Sequence, residues 1–322
     1  DLNECPYPPS PEVIAAMHSV AHTLNRYPDG TCPELTPLVA ERLGVPQETI
    51  TWGGGSTQLL TSIAEISVAP GQNLVAPNLV WKRFQGVYKI VDANVTAVPN
   101  RADGSIDVEA LTNAIGNDTR LLICVTPNNP TGMMLSEDEI RHVSENTPEN
   151  VLLFMDEAYH EFAIHAGGPN ALEILKDRKG PWAVTRTFSK AYALAGVRLG
   201  YAICSSPEIV DAIRMVSSTF NLNGMAEAAA MAAWNQPEYT AESFRNLWYH
   251  TGDAGYQDEE GRFYFVDRLT DSMRRRGENI SSMEVEDEVN QHPGVLECAV
   301  FPVWDEHSEQ EVMVVITPKA GK

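Results

Sequence analysis

The sequence is poor in basic residues, and it contains no apolar run long enough to form a membrane helix. Lys and Arg number 23 against 44 Asp and Glu, so the formal net charge is −21. This charge repels phosphate backbones and anionic membrane surfaces, and we expect neither a nucleic-acid nor a membrane partner. The first residues also lack the basic and then apolar layout of a signal peptide.

Cysteine is scarce as well, and its spacing argues against a disulfide-rich protein and against a zinc-binding one. The five cysteines are far apart, without the spacing of a disulfide framework or a zinc site. Two of them stand in apolar, strand-like runs. We therefore expect reduced core thiols in a cytoplasmic protein and predict no metal site.

Short β-rich runs alternate with helical patterns between residues 50 and 205. The runs cover residues 73–76, 95–98, 121–125, 151–155, 182–185 and 200–204. Helical patterns lie between several of them, at 107–115 and at 136–145, where Ser136 and Glu139 form a capping-box pattern. This alternation predicts an α/β fold with a mainly parallel sheet covered on both faces and with its chemistry in loops at strand ends.

The pattern of predicted strands and helices changes after the Ala-rich stretch 225–234, which itself is typical of a buried helix. The remainder predicts a strand at 263–266, a helix at 283–291, and strands at 298–303 and 311–317. The sequence therefore predicts a large α/β domain over 1–240 and a small, partial α+β domain over 241–322.

A lysine in the stretch 187–201 carries the strongest chemical signal. Lys190 follows a predicted strand, stands beside the hydroxyls of Thr187 and Ser189, and precedes Arg198 by eight positions. Such a setting suits an amine that forms a Schiff base beside a phosphate, because apolar surroundings lower the pKa of a lysine. Taken alone, a lysine in a loop is more often a solvated surface charge.

Two other strand ends carry polar residues. Asp156 ends an apolar strand, where a carboxylate can keep a ring nitrogen protonated, and Tyr159 follows it. An isolated Asp at a strand end is more often a helix cap. Asn129 lies in the turn-forming segment 126–132, which is also consistent with a purely structural turn.

A glycine loop at residues 53–55 leads into Ser56, Thr57 and an apolar helical run. The free backbone amides at the start of such a helix, from Gly55 onward, can bind a phosphate. The loop lacks the Gly-Lys-Ser/Thr ending of a P-loop and the spacing of a dinucleotide fingerprint.

In their order and approximate spacing, several segments together resemble the fold-type I, class I/II aminotransferases, most closely the histidinol-phosphate aminotransferase branch. The segments are residues 3–7, 26–30, 53–58, 128–132, 156–159 and 189–200. The resemblance implies a homodimer that uses pyridoxal 5'-phosphate for ping-pong transamination between an amino acid, or an amino-alcohol phosphate, and a keto acid.

The same resemblance implies a role for each matching residue. Lys190 is the Schiff-base lysine, Asp156 pairs with the pyridine nitrogen, and Asn129 and Tyr159 contact the phenolic oxygen. Tyr27 reaches the cofactor phosphate of the neighbouring subunit. Trp81 is the candidate for ring stacking, although its local pattern departs from the family's and core packing is the alternative. The phosphate is expected to be held by Gly55, Ser56, Thr57, Thr187, Ser189 and Arg198.

The last quarter of the chain, residues 244–322, resembles a different family: the C-terminal part of adenylate-forming acyl-CoA synthetases. The matching segments are 248–253, 266–271 and 274–280. The resemblance implies that Asp253 and Arg268 bind the ribose of ATP and that Asp271 is a hinge. Without it, Asp253 is a turn residue and 274–276 a solvated basic run.

Three hypotheses about activity remain open at this point. The first is an aminotransferase whose turnover is impaired, because the family's carboxylate-binding arginine is not found in the chain. The second is a fragment of an ATP-dependent acyl-CoA ligase. The third is a chimera that binds pyridoxal phosphate without turnover.

Overall fold

The structure, a computed structural model, describes residues 3–5, 7–236, 244–245, 248–249, 253–257, 263–268, 272–275, 278–305 and 309–319. The chain separates into two compact units, Asp1–Tyr249 and His250–Lys322. The change in sequence pattern after the Ala-rich stretch predicts a boundary near residue 240, and the two units divide at residue 249.

A seven-stranded sheet forms the centre of the first unit. Its strands are β1 (Ile50–Gly53), β2 (Asn73–Pro77), β3 (Asn94–Val98), β4 (Thr119–Val125), β5 (Leu152–Asp156), β6 (Trp182–Thr187) and β7 (Gly200–Cys204). Their order is β1-β7-β6-β5-β4-β2-β3. Neighbours among β2 to β6 pair in parallel, whereas β7 is antiparallel to β1 and β6. The predicted α/β fold with a mainly parallel sheet is confirmed; strand β1 was not predicted.

Helices connect these strands and cover the sheet. They are α1 (Pro11–Val20), α2 (Leu35–Leu43), α3 (Ser56–Ser67), α4 (Arg83–Ile90), α5 (Val108–Asn113), α6 (Glu137–Asn146), α7 (His160–His165), α8 (Ala171–Leu175), α9 (Pro207–Val216) and α10 (Ala226–Trp234). The predicted capping box of α6 is present: the Glu139 amide donates to Ser136 Oγ at 3.2 Å, and the Ser136 amide donates to Glu139 Oε2 at 2.9 Å.

Two apolar clusters pack on opposite faces of the sheet, and β5 shows how the sequence divides between them. Leu153 and Met155 belong to one cluster, and Leu152 and Phe154 belong to the other. Because successive side chains of a strand point to opposite faces, Asp156 continues the face of Phe154 and Glu157 continues that of Met155. Two adjacent carboxylates thus leave the end of β5 in opposite directions.

A short pair of strands, β8 (Phe244–Arg245) and β9 (Trp248–Tyr249), ends the first unit. In the second unit, β10 (Asp253–Gln257) and β11 (Phe263–Arg268) form an antiparallel pair. The other elements of this unit are β12 (Ser272–Arg275), β13 (Glu278–Ser281), helix α11 (Ser282–Asn290), β14 (Val295–Asp305) and β15 (Glu309–Pro318). These four strands form a separate antiparallel sheet with the order β13-β12-β15-β14. The helix contacts β14, since the Val300 amide donates to Glu286 Oε1 at 2.8 Å.

All five cysteines are free, and those of β4 and β7, Cys124 and Cys204, are buried. Among the residues that the structure describes, every helix is too short or too polar to cross a bilayer.

Candidate functional site

A cavity of about 310 Å³ lies where the carboxyl ends of β4, β5 and β6 meet the start of α3. This is the edge where open, mainly parallel sheets bind ligands. The structure brings most of the predicted site residues to its wall: Ser56, Thr57, Trp81, Asn129, Asp156, Tyr159, Thr187, Ser189, Lys190 and Arg198.

Lys190 is half-buried on the turn that follows β6. Its Nζ donates to the carbonyl oxygen of Asn3 at 3.2 Å and lies 5.7 Å from the centre of the Tyr159 ring. Burial lowers the pKa of Lys190; Glu4 opposes this effect, and Arg198 adds to it. A lysine with a lowered pKa has more of the neutral, nucleophilic amine near neutral pH.

Asp156 is buried at the end of β5, on the cavity side. Its Oδ1 accepts a hydrogen bond of 3.1 Å from Thr185 Oγ1, on the neighbouring strand β6. Burial raises the pKa of Asp156 to about 6, although the bonds from Thr185 and the Ala158 amide oppose the shift. A carboxylate held in this way gains stability from a cationic group placed against it.

Hydroxyls, a guanidinium and a helix start converge at one corner of the cavity. Arg198 Nη1 donates to Ser189 Oγ at 3.3 Å, and its Nη2 donates to the Gly54 carbonyl at 3.3 Å. Thr187 Oγ1 in turn donates to Ser189 Oγ at 3.0 Å. The N-cap residue of α3 is Gly55, which has no side chain to cap the first turn. Free backbone amides beside a guanidinium and hydroxyls form an anion-binding corner.

Gly55 stands directly before α3 and behind this corner, outside the cavity wall. Its φ of +81° lies in the region that glycine tolerates and other residues avoid. A Cβ built on Gly55 would collide with the Arg198 guanidinium. The Gly55 amide itself donates to the Gly53 carbonyl at 2.7 Å. In the structure Gly55 thus contributes backbone conformation and space for Arg198, and its predicted contact with a phosphate stays a prediction.

The adjacent residues Asn128 and Asn129 have different roles: Asn128 stabilises the turn, and Asn129 faces the cavity. The side-chain amide of buried Asn128 donates to the Leu79 carbonyl at 2.9 Å and to Thr131 Oγ1 at 3.0 Å, which holds the turn. Asn129 lines the cavity instead. Tyr159 accepts a 2.8 Å hydrogen bond from Asn3 Nδ2, and burial raises its pKa.

Sequence reasoning missed part of the cavity wall: Glu4, Val125, Ala158, Ala195 and Gly196. Glu4 belongs to the N-terminal segment that resembles the aminotransferases, but nothing in that segment indicated that Asn3 and Glu4 reach Lys190. Only the tertiary fold brings these distant positions together.

The remaining predicted residues are Tyr27 and three residues of the second unit, and Tyr27 does not line the cavity. Tyr27 is 78% exposed, and its ring stacks on Phe220 with centroids 4.0 Å apart. In the second unit, Asp253 and Arg268 are directly paired backbone positions of β10 and β11. Asp271 lies outside the described residues.

Similarity to known proteins agrees with this geometry. The model of the family described as aminotransferase class I and II matches residues 1–270. The aromatic amino acid aminotransferase of Thermobifida fusca is 38% identical over 234 residues, which cover 72% of this chain and 64% of that protein. Histidinol-phosphate aminotransferase 2 of Pseudomonas fluorescens is 38% identical over 261 residues, which cover 81% of this chain and 68% of that protein.

Solved structures show the same fold. The crystal structure of histidinol-phosphate aminotransferase from Sinorhizobium meliloti, in complex with pyridoxal-5'-phosphate, matches with a TM-score of 0.69 and 31% identity. The match covers 74% of this chain and 64% of that one. The chain thus spans about two thirds of the length of the relatives it matches. On the family match and the identities to these relatives, the chain belongs to the class I and II aminotransferase family.

Proposed function

We propose that this chain binds pyridoxal 5'-phosphate at Lys190 and catalyses transamination of the histidinol-phosphate aminotransferase type. The observation that carries the proposal is the arrangement of three groups around one cavity: the Lys190 amine, the buried carboxylate of Asp156, and the anion-binding corner around Arg198. Pyridoxal phosphate has a matching aldehyde, a basic ring nitrogen and a phosphate.

The chemistry of the cavity fits this cofactor. The raised pKa of Asp156, about 6, means that its charge is costly in the absence of a cation, and a protonated ring nitrogen is such a cation. The uncapped start of α3, next to Ser56 and Thr57, favours a phosphate. A volume of about 310 Å³ is within the range of small-molecule sites.

When bound, the cofactor supplies an electron sink for bonds at the substrate Cα. Lys190 would hold the cofactor covalently through its Nζ, and its released amine would move a proton to and from the substrate Cα. Asp156 would hold a proton on the ring nitrogen, and Asn129 and Tyr159 would orient the ring. Trp81 lies on the cavity wall, where it would pack against the ring. We infer ping-pong transfer, with an amino acid leaving as a keto acid before a second keto acid enters.

The first test of the proposal is spectroscopic. We expect the purified chain to develop a visible absorption band when pyridoxal phosphate is added, and Lys190→Ala to lose it. The control is Lys179→Ala, which removes an exposed lysine from a loop outside the cavity. After borohydride reduction, mass spectrometry should locate the cofactor on Lys190. A folded wild type that shows no band, or a band that Lys190→Ala retains, would overturn the proposal.

Two donor classes follow from the names of the relatives: histidinol phosphate and aromatic amino acids. We propose that the donor is an amino acid or amino-alcohol phosphate, with a keto acid as acceptor. Single-turnover bleaching of the absorption band by each donor ranks the classes without requiring complete turnover. Neither donor bleaching the band would leave a cofactor-binding protein without transfer activity.

We further propose that the chain acts as a homodimer in the cytoplasm. Tyr27 and Phe220 are large and exposed, 78% and 53%, although they stack on each other, and Leu24 nearby is 50% exposed. Covering these side chains with a second copy would bury apolar area and bring Tyr27 toward the partner's phosphate corner. Sedimentation analysis tests the dimer, and Tyr27→Phe should weaken cofactor binding only if the dimer forms.

Free thiols at all five cysteines are consistent with a reducing compartment such as the cytoplasm.

For residues 244–322 we infer a relationship to the C-terminal part of adenylate-forming enzymes. The support is the three sequence segments, of which 274–280 lies outside the range 1–270 that the aminotransferase model matches. Asp253 and Arg268 occupy directly paired backbone positions of β10 and β11. Titration calorimetry with ATP is the test: binding that Arg268→Ala abolishes would support the relationship. Absence of binding by the wild type would contradict it.

A further inference from the structure

A buried ion pair lies directly behind the cofactor cavity. Arg186 donates to Glu157 Oε2 from Nε at 2.8 Å and from Nη2 at 2.7 Å, and the two side chains are 1% and 3% exposed. Nη2 also donates to Asn170 Oδ1 at 3.3 Å. Neither Glu157 nor Arg186 lines the cavity, and the proposed chemistry does not use them.

The position of the pair in the sheet ties it to the site. Glu157 follows Asp156 at the end of β5, and Arg186 stands between Thr185 and Thr187 on β6. Asp156 and Thr185 are register partners and hydrogen-bonded on the cavity face. One side chain of each strand thus forms the hydrogen bond on the cavity face, and the next side chain along each strand forms the ion pair on the reverse face.

Stability alone does not account for charges at this depth. Two ions removed from water lose solvation energy that their attraction only partly restores, and apolar residues of similar size often serve a core equally well. The guanidinium accepts only a narrow set of positions for the carboxylate, because its donors form a rigid, planar fork. A buried pair of this kind fixes geometry.

We infer that Glu157 and Arg186 are positioning residues, which hold Asp156 and the turn that carries Lys190 at a fixed separation by joining the ends of β5 and β6 from behind. The inference rests on the proposed function, which gives Asp156 and Lys190 their roles. A displacement of about 1 Å between reacting groups costs up to about a hundredfold in rate. The geometry of the ion pair is therefore expected to affect the reaction rate through the positions of Asp156 and Lys190.

The chain contains a matched control for Arg186 in Arg178, which lies near the opposite ends of the same two strands. Its guanidinium is half-buried and donates to carbonyl oxygens around the start of β5, those of Ser144, Thr147, Pro148 and Val151. Arg178→Lys therefore removes a guanidinium fork near the start of β5, outside the cavity lining.

The decisive comparison is Arg186→Lys against Arg178→Lys in the full chain. Both changes keep the charge and remove the fork, and both should lower the melting temperature. We expect Arg186→Lys to weaken binding of pyridoxal phosphate by about tenfold or more, and Arg178→Lys to leave it within about twofold of wild type. Wild-type affinity in a folded Arg186→Lys variant would overturn the inference.

A second variant decides the matter if Arg186→Lys does not fold. Glu157→Gln keeps the shape of the pair and removes its negative charge, and the charged or titratable groups around it are Arg186, His160 and Glu161, with Tyr201 beyond. On Asp156 the acting charges are Glu157 and Lys190, and Glu157 raises its pKa. The Asp156 titration in Glu157→Gln should therefore have a lower midpoint than in wild type.

Carbon-13 NMR of aspartate-labelled protein without cofactor measures this midpoint, with Asp156→Asn assigning the signal. An unchanged midpoint in Glu157→Gln would show that the pair does not act on Asp156 and would overturn the inference. This measurement also separates the two proposals. If wild type binds no pyridoxal phosphate, the proposed function fails, while the NMR midpoint still tests whether the pair governs Asp156.

Discussion

At the end of β5, the cavity face and the reverse face of the sheet hold adjacent carboxylates in opposite electrostatic settings. Burial raises the pKa of Asp156 to about 6, and the hydrogen bonds from Thr185 and the Ala158 amide oppose only part of that shift. Burial also acts to raise the pKa of Glu157, but the nearby Arg186 and His160 outweigh it and hold the pKa well below its ordinary value.

The difference lies in the partner that each carboxylate has. Glu157 has a permanent cation, so its charge is stable in the folded protein whether or not a ligand is present. Asp156 has a hydroxyl and a half-buried lysine instead, so a ligand can supply the missing cation. A buried acid whose charge lacks a full partner is a mark of a binding site, whereas a fully paired one is a mark of a framework.

The largest effect that would test this comparison is expected from Asp156→Asn. Without a carboxylate to keep the ring nitrogen protonated, the rate of amino transfer should fall by at least about a hundredfold. The same variant should be more stable than wild type at neutral pH in the absence of cofactor, because it removes a destabilising buried charge.

The sign of this stability effect follows from linkage. The folded-state pKa, about 6, exceeds the ordinary value of 3.8, so the folded protein binds the proton more tightly. Asp156 therefore lowers the wild-type free energy of unfolding as the pH rises from about 4 to 6, by about 3 kcal/mol in total. Urea unfolding at pH 4 and pH 7.5 measures the effect. A difference between wild type and Asp156→Asn that does not grow with pH would contradict our account of Asp156.

A smaller effect is expected from Arg198→Ala, which compares an exposed cavity arginine with the buried Arg186. Arg198 donates to Ser189 Oγ and to backbone carbonyls at the phosphate corner. Loss of charge-assisted hydrogen bonds to a phosphate costs about 2 kcal/mol, or roughly thirtyfold in affinity. The free energy of unfolding without cofactor should change by less than about 1 kcal/mol. Equal losses of cofactor affinity and of stability would mean that Arg198 acts in the framework.

Local sequence was enough to find the cavity face. An apolar run that ends in Asp156, and a strand followed by hydroxyls and Lys190, mark the carboxyl ends of neighbouring parallel strands, which meet at one edge of the sheet. Trp81 and Asn129 also reach the cavity wall, and their contacts with the cofactor stay predictions. Trp81 packs against an apolar cluster as well, which was its alternative role.

The sequence did not predict the ion pair of Glu157 and Arg186 on the reverse face, because the pair depends on which strands lie side by side in the sheet. Arg186 is a lone charge in a β-rich run, and such a residue on an edge strand simply meets water. Only the parallel pairing of β5 and β6 brings it against Glu157 and buries both. Likewise, the contacts of Asn3 with Lys190 and Tyr159 join positions more than 150 residues apart, which no local pattern indicates.

The smallest effect is expected from Ser136→Ala, which tests whether lost stability by itself disturbs the cavity. Ser136 and Glu139 cap α6 reciprocally on the surface, away from the cavity, and removing a capping side chain costs about 1 kcal/mol. Chemical denaturation should show this loss, while the affinity for pyridoxal phosphate stays at the wild-type value. A fall in affinity with Ser136→Ala would mean that the site follows global stability, and a similar fall with Arg186→Lys would then say little about positioning. An unchanged affinity would leave the strand ends behind Asp156 as the place where framework and site are coupled.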